Sequence, residues 1–195
     1  QDEDLVKLAG LIEASRLARM LNEPAQMSVY LKQGRALAER LGDTRNMGRL
    51  LLESATYEVE VGNYSAALAL LKQVLPLQRW GELDWEPILT LYWMGHAQLR
   101  LGNLAESRRC WQEGLEHARR AEDQFDIGWG LGGLSMQARY EGDLNQATVL
   151  SRESLAVKWQ YQDRPGIAFS LAELAMIAED DGKVWGAASA WGAWN

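Results

Sequence analysis

Apolar residues return along this chain at the i, i+3, i+4 and i+7 spacing of one helix face. The stripe Ile167, Leu171, Leu174, Ala175 and Ala178 is a clear case. Polar punctuation cuts these stripes every 40 residues, at Gly62-Asn63, Gly102-Asn103, Gly142-Asp143 and Gly182-Lys183, with Asn22-Glu23 in the same phase. A second series, Asp43, Asp123 and Asp163, runs in multiples of 40, with Leu83 at the skipped step. Leu11, Leu51, Leu91, Leu131 and Leu171 share one phase. Two columns of mostly small residues accompany them: Ser15, Ala55, Gly95, Ser135 and Ala175, then Met27, Ala67, Ser107, Ala147 and Ala187. Agreement in so many phases predicts a repeat protein.

Each period reads as two helices. The first runs from the Asp phase to the Gly phase, where glycine suits a left-handed C′ position, and the following Asn or Asp can cap the second helix. The next Asp then serves as an N-cap, and Pro165 falls in a first turn, which tolerates proline. Leu71, Trp111 and Trp191 fall on the buried side of the second helices. Pro76 lies in the middle of the second helix of the second unit, so that helix should kink or end there. Alternation at period two is absent, and strands are not expected. Five units, 3–42, 43–82, 83–122, 123–162 and 163–195, take up the 195 residues as one repeat domain. The expectation is an all-α, right-handed superhelical solenoid of about five antiparallel helix pairs. The chain starts at Gln1 without Met and ends in an apolar run at Trp194-Asn195, which reads as a piece of something longer.

These residues carry a resemblance. The pattern W-x2-L-G-x2-Y followed by A-x3-F maps onto Leu91-Tyr92-Trp93-Met94-Gly95-His96-Ala97-Gln98 and Ser107–Trp111. In the next unit it maps onto Leu131, Leu134-Ser135, Ala138, Ala147 and Ser151. The chain thus resembles tetratricopeptide arrays, with two departures: a period of 40 where that family has about 34, and no proline late in the second helix. Gly142-Asp143-Leu144 through Leu155-Ala156, Asp163–Ala168 and Trp185-Gly186-Ala187-Ala188 look like the C-terminal sensor regions of LuxR- and AfsR-type bacterial signal-transduction ATPases. That resemblance implies a non-catalytic domain for protein binding or ligand sensing inside a cytoplasmic transcriptional regulator. The parent would carry a nucleotide-binding ATPase module and a DNA-binding module. The alternative is a free-standing scaffold or adaptor that binds peptides and has no part in transcription.

Composition narrows the field. Hydrophobic residues at 47% and charged residues at 24% suit a folded chain. With 20 Lys+Arg against 27 Asp+Glu the net charge is −7, and a pI near 5.0 argues against direct nucleic-acid binding. One cysteine, Cys110, allows no internal disulfide framework, and its phase, shared with Leu70 and Leu150, predicts a buried structural thiol. No apolar run is long enough for a membrane span.

Candidate chemistry is sparse. Gly128-Trp129-Gly130-Leu131-Gly132-Gly133 contains G-x-G-x-x-G, but it lies inside a first helix with no strand before it, so close helix packing is expected in place of a phosphate cradle. His96 and His117 lie on different helices without metal-ligand spacing, and Glu179-Asp180-Asp181 lacks the alternating oxygen ligands of a calcium loop. Neither enzymatic activity, nor a cofactor, nor a metal is expected.

The resemblance assigns a concave face to the first helices. On it would lie Arg49 and Leu52; Tyr92, His96 and Arg100; Trp129, Gly132, Met136, Arg139 and Tyr140; then Phe169 and Met176. Aromatic, methionine and arginine side chains are enriched in recognition sites, and the other reading is that they only close the superhelix. The carboxylate clamp of tetratricopeptide cochaperones is missing, because its phases carry Ile12 and Arg16, Leu52 and Thr56, then Tyr92 and His96. The segment Gly128–Tyr140 is the expected groove floor. There Gly132 and Gly133 would admit a ligand backbone, Trp129, Met136 and Tyr140 would offer apolar contacts, and Arg139 and Arg100 would bond an acidic or carbonyl-rich partner. Alternatively, the glycines make room for Trp129 or Trp93. The expected occupant is a protein or peptide, or a small-molecule effector. The C-terminal Trp185–Trp194 helix, apolar on its outer edge, is expected to support self-association.

Overall fold

Helices begin and end where the repeat punctuation falls. The computed structural model describes residues 2–78 and 87–182. Among them are nine α-helices and no strand: α1 Asp2–Met20, α2 Pro24–Leu41, α3 Thr44–Glu60, α4 Tyr64–Val74, α5 Ile88–Arg100, α6 Leu104–Arg120, α7 Gln124–Tyr140, α8 Leu144–Gln160 and α9 Arg164–Asp180. Asp43, Asp123 and Asp163 cap first helices, their carboxylates accepting from the backbone N–H of Asn46, Asp126 and Gly166. Asp143 does the same for α8 through Gln146 N–H at 3.0 Å. Each such cap contributes about 1 kcal/mol. Gly142 stands at φ 83, and Gly142 N–H and Asp143 N–H close back onto Arg139 O and Ala138 O. This is the double closure of a helix C-terminus. Asn22 takes the same role at φ 57, a conformation asparagine tolerates better than most residues.

The chain divides into two compact units, Gln1–Leu101 and Gly102–Asn195. In the first, α1 packs on α2 and α3, α2 on α3, α3 on α4 and α5, and α4 on α5. In the second, α6 packs on α7, α7 on α8 and α9, and α8 on α9. The small columns let helix backbones meet: Ser15, Ala55 and Ser135 are fully buried, as are Ala67, Ser107 and Ala147. Ser135 Oγ donates to Ala147 O at 2.9 Å, so the two columns touch across the α7–α8 pair.

Helix α4 stops at Val74 and passes into a single 3-10 turn, Leu75–Leu77, around Pro76. Proline lacks the N–H that the next turn needs, so the helix ends there, as expected. The self-association expected of the Trp185–Trp194 segment falls outside the described residues.

The glycine run sits inside α7, which continues through it without a break. A Cβ built on Gly133 would lie 2.2 Å from the Trp111 ring of α6, and one on Gly128 would lie 3.1 Å from Lys158 Cγ of α8. Packing is therefore the reason for these glycines, but the bulky neighbours are Trp111 and Lys158, not Trp129 or Trp93. Cys110 is fully buried, and burial pushes its thiol upward.

Candidate functional site

In the second unit, α7 and α9 lie side by side and bring their aromatic residues together. The Trp129 ring is 5.6 Å from Phe169 and 6.3 Å from Phe125, both tilted. Behind them, α8 sends in Lys158, which is only 2% exposed. Its Nζ lies 4.2 Å from the Trp129 centroid and 4.9 Å from that of Phe169, and donates to Ser170 Oγ at 3.3 Å. Ser154 Oγ donates to Gly128 O at 2.8 Å and sits 3.1 Å from Ser170 Oγ.

Three glycines clear the path for this lysine. A Cβ on Gly132 would lie 3.2 Å from its Nζ, and one on Gly166 would lie 2.8 Å from its Cδ. Among the described residues no carboxylate is within ion-pair distance. Burial lowers the ammonium pKa from the ordinary 10.5 to about 8, with the Asp163 charge acting against the fall. A charge in such a place is costly unless other groups replace its water, and here two ring faces and a hydroxyl do part of that.

Sequence reasoning missed Lys158. Its phase is a signal in hindsight: the matching positions are Ala38, Gln78 and Ala118, of which both alanines are buried. A lysine in a mostly small column, facing Gly128, Gly132 and Gly166, announces a lysine turned inward.

Two to three turns further along α7, Arg139 is already engaged. Its Nε donates to Glu173 Oε1 at 2.8 Å, its Nη1 to Asp180 Oδ2 at 3.0 Å, and its guanidinium lies 5.2 Å over the Tyr140 ring. From the sequence, Arg139 is expected to bond a partner; in the folded chain α9 already supplies it with two acceptors. Glu173 is 1% exposed; burial raises its carboxyl pKa while the bond from Arg139 opposes the rise.

Two further placements differ from expectation. Met136, expected to offer an apolar contact, is buried in the core, and the room beside Gly132 and Gly133, expected to admit a ligand backbone, is filled by Lys158, Ser154 and Phe169 and by Trp111. What the face does present is apolar: exposed Phe125 beside half-buried Trp129 and Phe169, and, toward the other end of α7, exposed Tyr140 and Met176 beside Arg139.

In the first unit, Tyr64 of α4 brings two candidates together. Its ring is 6.1 Å from His96 and 5.5 Å from the Arg100 guanidinium, and Trp93 meets His96 edge-on at 6.4 Å. Burial lowers the His96 pKa and the nearby Arg100 charge lowers it further, both favouring the neutral imidazole. Arg49 and Leu52 are half-buried on α3, whereas Tyr92 is buried among the core residues of α5. Among the described residues no group of three or more His, Cys, Asp or Glu side chains is placed to hold a metal, and no helix is long and apolar enough to cross a membrane.

No family model and no curated protein matches this chain. Solved structures do. A signal-transduction ATPase with numerous domains and a tetratricopeptide repeat sensor, from Pyrococcus horikoshii, matches at TM-score 0.75 and 18% identity over 89% of this chain. This chain spans only 27% of that ATPase. The tetratricopeptide-like repeats of a putative kinesin light chain from Podospora anserina match at TM-score 0.68 and 17% identity, covering 93% of this chain and 90% of theirs. BtubC from P. vanneervenii matches at TM-score 0.62 and 13% identity, covering 95% of this chain and 87% of its own. The fold is a tetratricopeptide-like, all-α repeat fold.

Proposed function

We propose that this chain is one repeat array serving as a protein-recognition module, and that the α7–α9 face of its second unit receives an apolar or aromatic segment of a peptide or protein partner. The observation that carries the reading is the face itself. Exposed Phe125 meets half-buried Trp129, which meets Phe169, at one end, and exposed Tyr140 and Met176 flank Arg139 at the other, while Arg139 and Lys158 are tied to their own chain. Recognition there rests on ring and thioether contact, of the kind that concentrates binding energy at protein interfaces. The same contact suits a small apolar effector.

A peptide library panned against the whole chain tests this. Selected peptides should be rich in aromatic or aliphatic residues, and Phe125→Ala or Tyr140→Ala should weaken them about tenfold or more without lowering the melting temperature. Binders indifferent to both substitutions would refute the assignment of this face.

The regulator context is a finer proposal. It is supported by the family resemblance of the segments from Gly142 onward and by the likeness to the repeat sensor of a signal-transduction ATPase. In that setting the module senses a partner or effector and the chemistry belongs to other parts of the parent. Reading the gene on either side of this segment decides it: a phosphate-binding G-x-x-x-x-G-K-[ST] loop upstream supports the regulator. A reading frame without one supports a free-standing scaffold, the reading favoured by how fully the kinesin-light-chain repeats and BtubC are covered.

A further inference from the structure

On the other side of α3 from Leu52, the first unit holds a cleft of about 470 Å³ lined by α2, α3 and Leu70 of α4. That volume is within the range of small-molecule sites. Its floor is apolar, from Met27, Leu31 and Leu70, and its polar wall is Arg35, Ser54 and Tyr57.

Arg35 is out of place by the logic of the repeat. Its phase carries Leu75, Leu115 and Leu155 in the following units, and Leu115 and Leu155 are buried core residues. Ser54 likewise stands where later units carry Met94, Leu134 and Leu174. The two exceptions meet: Arg35 Nη2 donates to Ser54 Oγ, and Ser54 in turn donates to Leu50 O at 2.8 Å. Arg35 Nε is shut off from water with no acceptor, and no carboxylate among the described residues pairs with the guanidinium. Burial pushes its pKa below the usual arginine value.

The repeat-equivalent cleft of the second unit, about 310 Å³, provides the contrast. There Arg108 is paired with Glu141, and Gln137 Nε2 donates to Leu104 O at 3.1 Å and to Glu141 Oε1 at 2.7 Å. In that cleft the arginine is paired with a carboxylate of its own wall, and Arg35 in the first is not.

We infer that the Arg35–Ser54 cleft is a binding site for a small monocarboxylate with an apolar body. The carboxylate would lie against the guanidinium with the Ser54 and Tyr57 hydroxyls nearby, and the apolar part would cover Met27, Leu31 and Leu70. Lys32 on the rim adds a positive charge, while Glu58, which accepts from Asn63 Nδ2 at 2.8 Å, adds a negative one. A single negative charge suits that balance; a dianion such as phosphate meets repulsion from Glu58. The site is separate from the α7–α9 face and does not depend on it.

Calorimetric titration of the whole chain with 3-phenylpropionate, its neutral amide and inorganic phosphate tests the inference. The carboxylate should bind at one site, with the amide and phosphate weaker by about tenfold or more. Arg35→Leu should lose the carboxylate by a similar factor while melting no lower than the wild type, because leucine fills that phase in the next three units. Equal binding of the amide, undiminished binding to Arg35→Leu, tighter binding of phosphate, or no carboxylate binding up to about 10 mM would each overturn it. If Arg35→Leu and Arg35→Met both melt more than about 5 °C below wild type, Arg35 is a structural residue and the inference fails.

Discussion

Replacing Lys158 by Met should stabilise the second unit at neutral pH and remove a rise in stability that the wild type shows in alkali. The sign follows from where the protons sit. In the unfolded chain Lys158 holds its proton up to about its ordinary 10.5, and in the folded chain only up to about 8. Between those values the unfolded state binds more protons, so unfolding becomes harder as pH rises. Below about 8 the folded protein carries the whole cost of a buried ammonium; above about 10.5 it carries none. The gap of about 2.5 pH units, at about 1.4 kcal/mol each, amounts to about 3.5 kcal/mol. Attraction of the cation to the faces of Trp129 and Phe169, about 1–2 kcal/mol, narrows that gap, which puts the expected effect between about 1.5 and 3.5 kcal/mol. Methionine keeps the unbranched shape that passes Gly128, Gly132 and Gly166, so no cavity term intrudes. Urea unfolding followed at several pH values from 7 to 10.5, for wild type and Lys158→Met in parallel, isolates the lysine, since every other group is common to both. The two stabilities should converge as pH rises. A constant difference across that range, or a variant less stable than wild type at pH 7, would refute the reasoning.

Arg139→Met should cost about 3–5 kcal/mol, because it leaves the buried Glu173 carboxylate without its partner. Adding Glu173→Gln should recover most of that loss in the same denaturant titration. Gly133→Ala should cost about 1–3 kcal/mol, since its Cβ would fall 2.2 Å from the Trp111 ring, and combining it with Trp111→Leu should cost less than the two changes summed.

The repeat, the helix boundaries and the break at Pro76 are all local matters, and they were legible in the sequence. A helix face shows at i+3 and i+4, an Asp cap reaches the N–H three residues on, as Asp163 reaches Gly166, and a proline removes its own donor. Each of these needs only a few neighbouring residues. The character of the α7–α9 face was decided at longer range. Arg139 looks like a free recognition residue until α9 brings Glu173 and Asp180 to it from 34 and 41 residues away. Lys158 reads as a solvated helix residue, since pattern reasoning treats charge as exposed. Only the packing of α8 against both α7 and α9 sets Gly132 and Gly166 around it and turns it beneath Trp129 and Phe169. Backbone hydrogen bonding and capping are short-range and leave their mark in sequence spacing. Which side chain fills the room beside a glycine is settled when helices from different repeats meet, and there tertiary structure alone has the answer.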